Sequence, residues 1–285
     1  MPGCLKGVAV SEPTVYAIGS GKGGVGKTTT AVNLAVALVS RGYEVGLVDA
    51  DLGMPDVGRS LGLAREPTIQ EVLAGAAAPG AAIHDVSPVG LSVVPGGSDL
   101  GTYARTEPGQ LRAVLDALVE DCDVVLLDVG AGISHEAVLP FELADGTLLI
   151  TTPEPAAMDD VERAAELVDH AGGEVVGLVL TRARDDADVD IAATLDPSLV
   201  AAIPEDDAVR RSVHAESPVI GHEPDAPAAI AYRQLAARVV GETYEGPTIA
   251  PAVGGAVGVG TDDPGDDAEA DLPVPNDGEL LADED

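Results

Sequence analysis

The sequence predicts a doubly wound α/β fold, a mostly parallel sheet with helices on both faces, followed by an acidic tail. Three observations predict it. Short, nearly continuous apolar runs alternate with segments of helical periodicity. Several of those runs end in glycine or aspartate. A glycine-rich loop joins the first run to the first periodic segment. Hydrophobic residues are 46% of the 285, enough for a sizeable core, but aromatics are only 2%, so that core must be aliphatic.

The elements follow in order. Val15–Gly19 is an apolar run ending in glycine, and Thr28–Ser40 carries Ala31, Leu34, Ala35, Leu38 and Val39 at helical spacing. Glu44–Asp49 reads as a strand ending in an acid. Thr68–Ala74 is a short helix and Leu91–Val94 a strand stopped by Pro95. Pro108–Val119 is a helix with proline in its first turn, where the missing N–H is not needed. Val124–Asp128 and Thr147–Thr152 are strands that bracket a helix from Ser134 to Leu143. Ala156–Ala171 is a helix, Val175–Thr181 and Leu199–Ile203 are strands, and Asp207–Val213 and Ala226–Val240 are the closing helices. Ligands of such sheets sit outside the carboxyl ends of the strands.

Asp and Glu number 49 against 15 Lys and Arg, a net charge of −34. Such a field repels nucleic-acid phosphates and anionic membrane surfaces. The chain is rich in hydrophobics, so disorder does not explain the acid excess. With twelve Arg and only three Lys, the composition resembles the proteins of haloarchaea, where carboxylates keep a hydrated surface in concentrated salt. Thirteen acidic residues and no basic one lie in Gly241–Asp285, which leaves −21 on the rest. Residues 246–285 therefore read as a disordered acidic tail behind a domain spanning 1–245. No apolar run approaches the ~18–20 residues of a membrane span, and Met1–Val10 lacks the pattern of a signal peptide, so the expectation is a cytoplasmic protein. Two cysteines, Cys4 and Cys122, cannot build a disulfide framework or a tetrahedral zinc site, and five histidines show no zinc spacing.

The chemistry concentrates in Gly19-Ser20-Gly21-Lys22-Gly23-Gly24-Val25-Gly26-Lys27-Thr28-Thr29. Gly21 to Thr28 fit G-x-x-x-x-G-K-[ST]. Glycines let backbone N–H groups turn inward around phosphates, and the helix after the loop adds its positive end. Lys27 is placed to reach the β- and γ-phosphates, and the Thr28 hydroxyl to ligate Mg²⁺. Gly19, Gly21 and Gly24 also satisfy the dinucleotide pattern G-x-G-x-x-G, with Asp49 as its ribose acid, but that reading leaves Gly26-Lys27-Thr28 unexplained. Two of the three lysines lie in this one loop. Lys22 therefore calls for a role of its own.

The segment GKGGVGKTTTAVNLA resembles the deviant phosphate loop of the MinD/ParA ATPases, a likeness that covers roughly residues 14–241. The resemblance implies ATP and Mg²⁺ as cofactors, slow partner-stimulated hydrolysis, and an ATP-sandwich homodimer in which Lys22 crosses to the partner's phosphates. It implies nucleotide contacts from Gly21, Lys22, Gly23, Gly24, Val25, Gly26, Lys27, Thr28 and Thr29. Asp49-Ala50-Asp51 resembles the first switch, with Asp51 positioning the attacking water and Asp49 an outer partner of the magnesium site. Val124–Asp128 resembles the strand that brings an acid, Asp128, to the metal. Val129-Gly130 stands where many relatives carry Thr or Ser and then Pro. Arg182, Pro204 and Glu205 resemble base-side contacts. The implied function is a switch that positions division, chemosensory or motility machinery through an unidentified protein activator or cargo. The alternatives are a metallocofactor-assembly ATPase and a non-hydrolysing ATP-dependent scaffold.

Membrane-cycling relatives end in a basic amphipathic helix; here the last forty residues are acidic and broken by proline and glycine. A basic residue near an anionic bilayer gains ~1 kcal/mol, and carboxylates invert that sign. Truncation after Glu245 is expected to leave fold and ATPase intact, and neither form should sediment with anionic liposomes, with or without ATP. ATP-dependent sedimentation that disappears on truncation would return the protein to the lipid-bound class.

Overall fold

The structure is a computed structural model that describes residues 12–86, 90–132 and 135–248. Among them are eight strands: β1 (Thr14–Gly19), β2 (Val45–Ala50), β3 (His84–Asp85), β4 (Leu91–Val94), β5 (Val124–Val129), β6 (Gly146–Thr151), β7 (Val175–Ala183) and β8 (Leu199–Pro204). They form one sheet in the order β3-β4-β2-β5-β1-β6-β7-β8. Every neighbouring pair is parallel except β3 with β4. The helices are α1 (Lys27–Val39), α2 (Val57–Ser60), α3 (Ile69–Leu73), α4 (Leu100–Tyr103), α5 (Leu111–Leu118), α6 (His135–Leu143), α7 (Pro155–His170), α8 (Asp186–Ala192), α9 (Asp207–His214), α10 (Val219–His222) and α11 (Pro227–Val239).

The parallel strands are mostly apolar runs because helices cover both faces. Alternate residues serve opposite layers. Tyr16 and Ile18 of β1, with Val124 and Leu126 of β5, pack into the layer built by α1 and α11. Val15 and Ala17, with Val125, Leu127 and Val129, pack into the layer of α5 and α7. The shortage of aromatics is met by close approach. A Cβ on Gly177 would lie 2.5 Å from Val200, so β7 and β8 meet where only glycine fits.

The predicted elements are present with ends shifted by a few residues at most. Pro108–Gln110 is a 3₁₀ turn rather than the start of α5, and Pro140 lies inside α6. Six short elements were not legible: α2, α4, α8, α10, β3 and the 3₁₀ turn Pro79–Ala82. Helix α8 shows why. Its aspartates favour turns, but Val189 and Ala192 bury against the core and Asp185 caps it by accepting from the Asp188 N–H at 3.1 Å. The predicted start of α6 at Ser134, the residues Cys4 and Lys6, and 249–285 of the predicted tail lie outside the described residues. The domain is anchored close to its expected end: Tyr43 Oη donates to Glu242 Oε1 at 2.7 Å, and Arg41 pairs with the same carboxylate. Among the described residues no helix is long and apolar enough to cross a membrane.

Leu126 is fully buried on a central strand. Leu126→Ala should cost about 2–5 kcal/mol through lost burial and the cavity left behind, read from denaturant unfolding at fixed salt.

Candidate nucleotide site

Strand β1 connects towards β2 on one side of the sheet, and β6 connects towards β7 on the other. The crevice at their carboxyl ends is the topological switch point. The glycine loop fills it. Gly24 (φ 77°) and Gly26 (φ 96°) occupy the left-handed region, which strains any residue with a Cβ. Gly21 is needed for another reason: a Cβ there would fall 2.3 Å from the Asp160 carbonyl oxygen, so the loop entry packs on the backbone of α7.

Four side chains and one N–H pin the loop's carbonyls. Ser20 Oγ donates to Lys22 O at 2.8 Å, Arg182 Nη2 to Gly24 O at 2.7 Å, and Thr181 Oγ1 to Val25 O at 2.6 Å and to Thr151 O at 3.0 Å. The Gly132 N–H donates to Ser20 O at 3.1 Å, and Asn33 Nδ2 to Thr29 O at 2.8 Å. C=O and N–H oppose each other across a trans peptide. Fixing the carbonyls of Lys22, Gly24 and Val25 therefore directs the next N–H groups the other way, as an anion nest requires. Lys27 opens α1 and is buried; Lys22 is exposed.

Beneath the loop lie two acids. Asp49 of β2 and Asp128 of β5 are register partners on adjacent strands, 0% and 1% exposed. Asp128 Oδ2 accepts from Thr28 Oγ1 at 2.6 Å, and Asp49 Oδ2 from the Val57 N–H at 3.0 Å. The Oδ1 atom of each is buried with no hydrogen-bond partner. Burial pushes the Asp128 carboxyl up to about 7, and nearby Asp51 adds to this, against the Thr28 hydroxyl and the Lys27 charge. Burial and the neighbouring Asp128 hold Asp49 well above the usual carboxylate range. Two orphaned oxygens beside a helix-borne hydroxyl form an oxygen donor set that suits a hard divalent cation.

Asp51 sits at the mouth of this site, partly exposed, with Oδ1 accepting from the Met54 N–H at 3.0 Å. A Cβ on Gly130 would lie 3.4 Å from that oxygen, so the two switch-like loops meet there. Val129 is buried in the α5–α7 layer, on the face of β5 opposite Asp128, so a hydroxyl there would not face the Thr28–Asp128 contact.

Beside the loop a cleft of about 470 Å³ is lined by Val25, Thr29, Arg182, Pro204, Glu205 and Tyr232, among others. The predicted base-side residues thus converge. Arg182 takes φ 54°, which sets it between the cleft and the loop carbonyl it holds. Lys22 and Arg182 both help to hold Glu154, at the start of α7, below the usual range, after the larger effect of a hydrogen bond from Thr152. Sequence reasoning missed Thr181 and Asp206. Thr181 braces the loop. Asp206 accepts from the Ala208 N–H at 2.8 Å and the Ala228 N–H at 3.2 Å, joining α9 to α11 behind the cleft. Their signal was position: a hydroxyl and an acid at the carboxyl ends of β7 and β8.

The sheet order, glycine loop and paired acids define the fold of a MinD-like P-loop nucleoside triphosphatase. The structure superposes on MinD from Pyrococcus horikoshii, solved as a complex with Mg-ADP, with a TM-score of 0.72 at 31% identity, covering 79% of this chain and 94% of that one. The chain belongs to the ParA family: residues 12–240 match its model, described as NUBPL iron-transfer P-loop NTPase. An uncharacterised ATP-binding protein of Methanocaldococcus jannaschii is 34% identical over 234 residues, 80% of this chain and 88% of that protein. A putative septum site-determining protein MinD of Guillardia theta is 32% identical, covering 81% and 90%.

Thr181→Val keeps the shape of the side chain but leaves the Val25 carbonyl without its donor. It should cost about 1–3 kcal/mol of stability and weaken ADP binding, measured by denaturant unfolding and by titration with a fluorescent nucleotide.

Proposed function

We propose that this protein is a Mg²⁺-dependent ATPase that works as a dimerisation switch for positioning cell machinery. The observation that carries the reading is the Thr28–Asp128 contact beside buried Lys27, with two orphaned carboxylate oxygens below a glycine loop. Lys27 offsets the charge on the β- and γ-phosphates, and the loop N–H groups cradle them. Thr28 and Asp128 would hold Mg²⁺, with Asp49 behind them. Bound there, the ion would supply positive charge to offset that on the phosphates. Asp51 orients the water that attacks the γ-phosphorus, yielding ADP and phosphate. Arg182, Pro204 and Glu205 border the base.

Lys22 is exposed and free to serve a second copy of the chain. The switch then has two states, an ATP-bound dimer and a monomer after loss of the γ-phosphate, and a protein activator or cargo reads the difference. Division, chemosensory and motility complexes are the candidates. The acid-rich, lysine-poor composition supports a haloarchaeal, cytoplasmic setting and argues against direct contact with nucleic acid or anionic lipid. A domain over 1–245 performs this chemistry, with 246–285 as a separate acidic tail. A second reading, a metallocofactor-assembly ATPase, is favoured by the iron-transfer description of the family. It requires iron to bind the purified protein stoichiometrically.

Lys27→Ala should abolish ATP binding at micromolar nucleotide. Asp51→Ala should keep ATP, lower turnover by about a hundredfold and trap the dimer. Lys22→Ala should leave monomer affinity intact but reduce the dimer fraction seen by sizing with a slowly hydrolysed ATP analogue. Parent-like turnover in Asp51→Ala, or an equal dimer fraction in Lys22→Ala, would sink the corresponding role.

A further inference from the structure

Asp51 lies on a segment, residues 51–56, that has no regular pairing of its own. Something must hold its backbone. The Asp51–Met54 bond is internal to the segment, and the Asp49–Val57 bond closes only its far end. The Leu52 side chain packs into the core, and the Leu52 backbone is tied to the fold by a buried amide on α3. Gln70 is 1% exposed, in a five-residue helix whose Ile69, Val72 and Leu73 are also buried. A glutamine there is costly unless both ends of its amide are bonded. Both are. Nε2 donates to Leu52 O at 3.2 Å, and Oε1 accepts from the Gly97 N–H at 2.6 Å. Both partners are backbone groups of one polarity each, so they settle which way the amide faces.

The far side of this bridge is rigid. Ile69 N–H donates to Pro95 O at 2.9 Å at the end of β4. Thr68 and Glu71 close a capping box, with Thr68 N–H to Glu71 Oε2 at 2.7 Å. A Cβ on Gly97 would lie 2.8 Å from Thr68 Oγ1, and one on Gly96 would lie 2.1 Å from Pro55 Cβ. The start of α3 and residues 95–97 are thus one packed block, and Pro55 rests on it.

We propose that Gln70 is the positioning residue of this segment: its amide ties Leu52 to the end of β4 and so fixes the backbone that aims Asp51. The proposal rests on the reading of Asp51 as the water-orienting group. An apolar side chain at 70 would fill the same space, so the amide marks a positional requirement rather than a packing one.

The test uses the full chain with two substitutions. Gln70→Met keeps the volume and loses both bonds. Gln70→Glu keeps the acceptor for Gly97 and loses the donor to Leu52. In both, turnover should fall by about tenfold while the Kd for a fluorescent ADP analogue stays within about twofold, because the phosphate loop is untouched. Amide hydrogen exchange should quicken across residues 52–57 in both variants and not at 21–29; the Gly97 amide should quicken in Gln70→Met alone. Unchanged exchange at 52–57 overturns the proposal. Asp51→Asn, run alongside, separates the two claims: parent-like turnover there removes the role of Asp51, while exchange at 52–57 still decides whether Gln70 holds the segment. If neither variant folds, the parent protein decides. Its Gly97 amide should be as protected as those of β4, and exchange at the rate of an exposed loop amide overturns the proposal.

Discussion

Asp49 and Asp128 stand side by side at the ends of β2 and β5, and neither carries charge there cheaply. Both are out of water, each has an oxygen without a partner, and Asp128 adds to the cost of ionising Asp49. The Lys27 ammonium and the Thr28 hydroxyl partly compensate Asp128. The surrounding architecture is arranged around that incomplete balance. The strands must be parallel and adjacent to bring the two acids into register, and α1 must start at the glycine loop to present Lys27 and Thr28 to them.

The loops above this pair are held by unequal means. The phosphate loop is tied down through its carbonyls by Ser20, which follows β1, and by Thr181 and Arg182 near the end of β7. A preformed nest avoids ordering costs when an anion arrives. The segment carrying Asp51 is held by its internal Asp51–Met54 bond, the Asp49–Val57 bond at its far end, the buried Leu52 side chain and the Gln70 amide, beside Gly130 and Gly132. A braced binding loop beside a separately held segment suits the proposed switch, in which only the second has to change.

Surface charge and site charge work on different scales. In the proposed function the site needs its two positive loop residues close to the phosphates, whereas the net −34 of the whole chain opposes any anionic partner at a distance. Concentrated salt shortens that long-range repulsion to a Debye length of ~3 Å, while the buried contacts at Thr28, Lys27 and Asp128 are screened far less. An acidic protein can therefore keep an anion site, provided that the site is enclosed.

The order of strands and helices, the glycine loop and its lysines, and the acids at 49, 51 and 128 were legible in the sequence. Each depends on local rules: apolar runs of strand length, helical periodicity, and glycine where backbone must curl around phosphates. The sequence by itself determined the chemistry of the loop, because Gly26-Lys27-Thr28 has few other uses after a strand. Tertiary structure decided what depends on neighbours far along the chain. It set Asp49 beside Asp128 across 79 residues, and it turned the aspartate-rich run at 186–192 into a helix by burying Val189 and Ala192. It brought Thr181 under a loop 156 residues away. Gln70 reads as an ordinary helix former in sequence. Only the fold, by placing Leu52 on one side of its amide and Gly97 on the other, makes it the link between them.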